Sequence, residues 1–332
     1  MTRRRYNLLA LDGGGIRGVI PARVLQEIEQ RTGRAVAELF DLVAGTSTGG
    51  ILALGLTMPG PDGQPAQSAA DMLALYMEQG DRIFPDSVLL KVETLWGLAD
   101  VRYPAGPLEE LLDSRFGDTL LSQALTEVVI PSYDLSAPAP FFFKREYARD
   151  ETHTWDVRMA QVARATSAAP TYFDPAVLPA FEQEGEHALI DGGTFANNPA
   201  VSGYVDGLRL WGHDAEINVV SIGTGHLPQT LGRGPIPVPP ESAHGWGLAH
   251  WAHPILEVVL DGAAKAAEYQ MNELSQDSGG AMHYDRLQSI LPTASPALDD
   301  ASHENRTALL ADANSLIEEQ SPHIDAICTA LL

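Results

Sequence analysis

Apolar and polar positions in the first part of the chain repeat a strand-then-helix pattern. Tyr6 to Leu11 is a short apolar run that predicts a strand. Asp12 to Gly18 is a glycine-rich turn, and Ile20, Val24, Leu25 and Ile28 then recur at helical spacing, with Pro21 in the first turn and Thr32-Gly33 as the stop. Phe40 to Ala44 predicts a second strand, Gly45 to Gly49 a second turn, and Gly50 to about Met58 a second helix. Strands alternating with helices imply a mostly parallel sheet covered on both faces, a three-layer α/β/α sandwich.

Further on, Ser68-Ala-Ala-Asp71 resembles a capping box that opens a helix ending at Gly80. Pro107 to Phe116 reads as a helix stopped by Gly117, and Glu127 to Leu135 and Phe141 to Lys144 read as strands. A helix is expected from Trp155 to Ser167, capped by Thr154. His187 to Asp191 and Glu216 to Ile222 read as strands that run into glycines. His226 to Ala243 is rich in proline and glycine, and Trp246 to Leu332 reads as mainly helical. No internal repeat is visible. The expectation is a single domain over 1–332, with a motif-bearing core at about 6–225 and a mainly helical part at about 244–332.

Composition narrows the class. The 332 residues are 45% hydrophobic, which excludes wholesale disorder and suffices for a large core. The single cysteine, Cys328, excludes a disulfide-stapled scaffold. The basic start at Arg3 to Arg5 precedes an apolar run of only Leu8 to Leu11, a poor signal peptide. No run approaches a membrane span, so a cytoplasmic protein is expected. Forty-four acidic against 21 basic residues give a net charge of −23. Such a surface repels nucleic acid and anionic headgroups at long range, so engagement of lipid would rest on apolar surface or a local basic cluster.

Three segments carry candidate chemistry. Gly45-Thr-Ser47-Thr-Gly49 fits a nucleophile elbow, where Ser47 stands on a tight strand-to-helix turn and the flanking Gly45 and Gly49 let the backbone fold sharply. Taken alone, the pattern also suits a plain Gly/Ser turn. Gly13-x-Gly15-x-x-Gly18 matches the dinucleotide fingerprint, but the second strand ends in Gly45-Thr-Ser47 where that reading requires an acidic residue. The same glycines suit an oxyanion hole of backbone N–H groups, with Arg17 adding positive charge or forming a surface ion pair. Asp191-Gly192-Gly193 closes a strand far along the chain, as a general base or as a simple turn. Two other readings compete. His226 would complete a triad in the order Ser47, Asp191, His226. His244, His250 and His253, around Trp246 and Trp251, form H-x5-H-x2-H, more in keeping with a helix face or lipid-contact stripe than with a metal site.

Taken together and in this order, Asp12-Gly-Gly-Gly-Ile-Arg-Gly18, Phe40-Asp-Leu-Val-Ala-Gly-Thr-Ser-Thr-Gly-Gly50 and Asp191-Gly192-Gly193 resemble the patatin-like phospholipases. Ala163-Arg-Ala-Thr-Ser-Ala-Ala-Pro-Thr-Tyr-Phe173, Tyr284-Asp-Arg-Leu-Gln288 and Leu298-Asp-Asp-Ala-Ser302 extend the resemblance along nearly the whole chain. The resemblance implies a modified α/β-hydrolase-like sheet and a Ser-Asp dyad, with Ser47 as nucleophile and Asp191 as base. It implies an oxyanion hole from Gly13, Gly14 and Gly15 helped by Arg17, no metal and no organic cofactor. The implied substrate is a phospholipid or another acyl lipid, met by transient contact with a membrane or micelle. A broad short-chain esterase and a ligand-gated effector are the alternatives. Headgroup, chain length and oligomeric state are not legible.

Overall fold

The computed structural model describes residues 4–84, 101–150, 156–180, 184–226 and 254–332. Its sheet has eight strands among these residues: β1 (Arg5–Leu11), β2 (Leu42–Gly45), β3 (Glu127–Asp134), β4 (Ala139–Lys144), β5 (Ala176–Pro179), β6 (Glu186–Asp191), β7 (Glu216–Ile222) and β8 (Met282–Leu287). The order is β5-β6-β3-β2-β1-β7-β8, with β4 on the other edge of β3. The run β3-β2-β1-β7-β8 is parallel, and β4, β5 and β6 join antiparallel.

The central strand β1 alternates strictly. Leu8 and Ala10 enter one core, Leu9 and Leu11 the other, and all four are fully buried. The Leu9 side is covered by α1 (Val19–Thr32), α2 (Thr48–Thr57) and α3 (Ala69–Ile83), with α4 (Gly106–Phe116) and α5 (Met159–Thr166) further along the same layer. The Leu8 side is covered by α6 (Ala200–Trp211) and α7 (Pro254–Asp277). Two last helices, α8 (His303–Glu319) and α9 (Ser321–Leu331), pack back onto α1. This is the expected three-layer sandwich with a mostly parallel sheet.

Several elements differ from the sequence reading for identifiable reasons. Helix α3 runs through Gly80 instead of ending there, because Gly80 is a contact point: a Cβ on it would lie 2.7 Å from Ile16 Cδ1. Helix α5 begins at Met159, after an extended segment at 156–158; Thr154 and Trp155 lie outside the described residues. The described C-terminal residues are mainly helical, as expected, but they also hold strand β8. Strand β8 is read past because His283, Asp285 and Arg286 obscure its alternation, although Met282 and Leu287 are buried. Helix α6 is masked by Gly203 and Gly207, which press against Leu8 and Ala44 and against Trp211 and Ile217.

The sheet also explains how Asp191 is delivered. Residues 129 and 132–134 of β3 pair with β4 on one edge, so β2 and β6 share the opposite edge. Strand β3 outruns β2, and β6 fills the vacated edge antiparallel, with Asp191 opposite Ser132. The carboxyl end of β6 therefore points back at the carboxyl end of β2. A parallel neighbour, as the sequence suggests, is not what brings the aspartate to the elbow.

A buried ion pair fixes the other side. Asp12, just beyond β1, is gripped bidentately by Arg286 of β8, whose Nη1 lies 2.9 Å from Asp12 Oδ1 and 2.8 Å from Ser221 Oγ of β7. Breaking such a pair strands a buried charge. Arg286→Met is expected to lower stability by about 3–5 kcal/mol in urea titration, whereas Arg5→Ala, which removes the exposed Arg5–Glu216 pair, should change it by less than about 1 kcal/mol. Equal losses would mean that the buried pair has no special structural weight.

Candidate active site

Strand β2 passes into α2 through a turn centred on Ser47, whose backbone has φ 54° and ψ −122°. That conformation is strained for a residue with a Cβ, and it persists because neighbours fix it. A Cβ on Gly45 would stand 2.2 Å from Gly49 O, and one on Gly49 would stand 2.2 Å from Leu11 O. No side chain fits at either position. The Thr46 hydroxyl donates to Ala196 O at 2.6 Å, and the Ser47 N–H donates to Thr166 Oγ1 at 3.0 Å. Ser47 is thereby the N-cap of a buried, ten-residue helix, at its electropositive end.

Asp191 faces Ser47. It is 3% exposed, accepts a hydrogen bond from the Gly193 N–H at 2.7 Å, and interacts with the Ser47 side chain. Burial raises its pKa, the Ser47 side chain and the Gly193 N–H oppose the rise, and the balance leaves it at about 6. Gly192 is required by close approach, since a Cβ there would sit 2.3 Å from Pro131 O; Gly193 carries the N–H that Asp191 accepts.

Ser47 and Asp191 open into a cavity of about 60 Å³ whose walls are almost wholly apolar, among them Ile51, Leu108, Phe84, Phe173 and Leu260. Ser167 Oγ and Asn197 Oδ1 also border it, buried and without a hydrogen-bond partner among the described residues. An unsatisfied buried polar group costs on the order of 1–3 kcal/mol, so a polar ligand group placed there would recover energy.

The glycine loop divides its labour. Gly14 and Gly15 border the cavity, and no carbonyl among the described residues takes their N–H groups. Gly13 departs from the expectation of a third oxyanion donor: its N–H is already given to Asn197 O at 2.9 Å. Its role is steric, because a Cβ would collide with the Asn197 side chain 2.3 Å away and crowd Ser47 Cβ at 3.3 Å. Arg17 also departs from expectation. It lines a second, more polar cavity of about 70 Å³ with Asp12, His226, Glu257, Asp261 and Lys265. Burial lowers its pKa, against the pull of Glu257, Asp12 and Asp261. Gly14 O accepts from Arg17 N at 3.1 Å and from Arg17 Nε at 3.4 Å. In a trans peptide the N–H opposes the C=O, so this contact turns the Gly15 N–H away from Arg17.

His226 is not placed beside Asp191. Its ring lines the second cavity, its backbone bonds Ser289 and Leu291, and burial lowers its pKa. His244, His250, His253, Trp246 and Trp251 lie outside the described residues. Among the described residues no group of three His, Cys, Asp or Glu side chains is arranged to hold a metal, and no helix is long and apolar enough to cross a membrane. Sequence reasoning missed Asn197, and it includes Thr166 and Leu298 only within family-like stretches, without a role. Leu298 O accepts the Ile16 N–H at 2.9 Å and abuts Gly15, which locks the glycine loop in place. The Asn-Asn-Pro run at 197–199, six residues past Asp191, was the available signal for Asn197.

Known proteins are similar to this chain in sequence. The profile of the family described as "Patatin-like phospholipase" matches residues 9–203. Patatin-like protein 4 of Arabidopsis thaliana is 31% identical, over 84% of this chain and 75% of the relative. Patatin-like protein 2 of the same plant is 31% identical, over 94% and 83%. A Solanum tuberosum relative named "Probable inactive patatin-3-Kuras 1" is 29% identical, over 94% and 86%. Among solved structures, VipD from Legionella pneumophila aligns with a TM-score of 0.33 at 12% identity, covering 96% of this chain and 67% of that one. The chain belongs to the patatin-like phospholipase family.

Holding Asp191 charged in a buried site opposes folding. Its folded pKa of about 6 exceeds the ordinary 3.8, so the folded state binds more protons between those values and stability falls as pH rises through that window. Asp191→Asn keeps an oxygen to accept from Gly193 without the charge. It is expected to be more stable than the wild type at pH 8, by up to about 3 kcal/mol, with the gap closing below about pH 4. Thermal or urea unfolding at the two pH values measures this, and a wild type that is more stable at pH 8 would contradict the burial argument.

Proposed function

We propose that this protein is a lipid acyl hydrolase working through a Ser47–Asp191 dyad. The observation that carries the reading is a serine on a strained strand-to-helix turn, facing a buried carboxylate whose pKa burial lifts to about 6 and the Ser47 side chain lowers in part. A base with that pKa is charged at neutral pH yet basic enough to take a proton from the attacking hydroxyl. Ser47 Oγ attacks the ester carbonyl as Asp191 accepts its proton, and the oxyanion is held by the Gly14 and Gly15 N–H groups. Arg17, by holding Gly14 O, keeps the Gly15 N–H turned toward the Ser47 side. Collapse breaks the ester C–O bond, the alcohol leaves with the proton from Asp191, and an acyl-serine remains. Water attacks it as Asp191 takes a proton, the acyl–Oγ bond breaks with that proton returned to Ser47 Oγ, and the fatty acid departs.

Family membership supports a lipid substrate, and the apolar cavity suits an acyl chain. The narrowness of that cavity supports the second reading, an esterase that prefers short acyl groups. Mass spectrometry of products from a mixed lipid extract separates the two: long-chain fatty acids with lysolipids support the first, and release confined to short-chain esters the second.

A fluorophosphonate probe is expected to label the protein once, with the label lost in Ser47→Ala; labelling that survives would remove Ser47 from its role. In steady-state assays Asp191→Asn is expected to lower kcat by about 10²–10⁴-fold, while His226→Ala stays within about tenfold of the wild type. A folded His226→Ala enzyme as inactive as Ser47→Ala would replace the dyad with a triad.

A further inference from the structure

Helix α7 is apolar on both faces. Inward, Leu260 borders both cavities and lies over Gly193, beside Asp191, while Ala264, Ala267 and Met271 are buried further along. A buried face on a helix of a globular protein is ordinarily matched by a polar one. Here the opposite face carries Ile255, Val258, Val259 and Tyr269, exposed at 46%, 40%, 37% and 66%, with the exposed Gly262 and Ala266 between them. At 3.6 residues per turn these six positions form one outward stripe about four turns long. Exposed apolar residues scattered singly need no explanation, but a continuous stripe marks a contact surface.

We propose that this stripe is the surface through which the protein seats on a zwitterionic lipid layer. The inference rests on the lipid acyl hydrolase reading and names the surface that serves the same site. Two observations choose the occupant. The helix that carries the stripe also walls the cavity through Leu260, so a lipid layer on the stripe lies one helix diameter, about 10 Å, from the site. The helix bears Glu257, Asp261, Glu268, Glu273 and Asp277 against the single Lys265, on a chain of net charge −23. That field repels anionic lipid, so attraction must come from apolar contact with a neutral surface.

The test pairs a surface readout with a monomeric substrate. Val258→Ser with Tyr269→Ser alters no cavity residue. Flotation with phosphatidylcholine vesicles and fatty-acid release from them are both expected to fall at least ~tenfold, since each lost apolar side chain forfeits its burial in the lipid layer. Hydrolysis of monomeric p-nitrophenyl butyrate should stay within about twofold, because the catalytic groups are untouched. Unchanged flotation, or parallel loss of butyrate hydrolysis in a folded variant, overturns the proposal. A second measurement avoids the double variant. Cys328 is the chain's one cysteine and is buried, so Val258→Cys can carry a polarity-sensitive dye. Its emission is expected to shift blue with phosphatidylcholine vesicles and to shift less with phosphatidylserine vesicles at low salt. No shift with phosphatidylcholine, or a larger shift with phosphatidylserine, rejects the surface. If the wild type floats but hydrolyses neither substrate, the surface stands and the acyl-hydrolase reading falls.

Discussion

The site depends on a backbone contact with no room for a side chain. Gly49, on the first turn of α2, is pressed against Leu11 O and Asp12 O, where β1 gives way to the glycine loop. That approach sets the height of the elbow above the sheet and the distance between Ser47 and the loop at Gly13 to Gly15. It also explains why the strain at Ser47 survives: relaxing φ there would drive Gly49 into β1 or pull α2 off its core. The elbow is a property of two strand ends packed together, not of five residues alone.

Around that contact the sheet acts as a jig with two polar clamps. On one side Asp12 and Arg286 tie the end of β1 across β7 to β8. On the other, Thr166 accepts the Ser47 N–H and donates to Pro131 O at 2.6 Å, joining α5, β3 and the elbow. Asp191 arrives through the antiparallel β6, into space that exists only because β2 is shorter than β3. Burial then does chemical work. An exposed aspartate is too weak a base at neutral pH, and desolvation is the lever that brings Asp191 toward it, at the expense of folding stability. That exchange is the usual sign of a functional group.

Much of this was legible in the sequence because it depends on local rules. Hydrophobic period and glycine position reveal β1, α1, β2 and α2, and with them Gly45, Ser47 and Gly49. Asp191 stands out only through the family resemblance that the three glycine motifs carry; by local rules alone it reads equally as an Asp-Gly turn. What stayed hidden depends on tertiary partners. The direction of β6 is set by the length of β2, which no local pattern encodes. Strand β8 hides behind Arg286, whose charge makes sense only beside Asp12. Gly13 and Gly14 look equivalent in sequence, yet Asn197, 184 positions from Gly13, takes the N–H of one and leaves the other. Arg17 lies in the expected loop but faces the second cavity, acting on Gly14 O from behind.

The central claim is that Asp191, lifted by burial, is the base for Ser47. Because burial brings Asp191 close to the ordinary range of histidine, a pH profile of the wild type alone does not distinguish the two bases. The rate of covalent phosphonylation of Ser47 as a function of pH, compared between wild type and His226→Ala, does. The account predicts an acidic limb near pH 6 in both proteins, at the same midpoint, and a slow rate lacking that limb in Asp191→Asn. A limb that vanishes or moves when His226 is removed would contradict it.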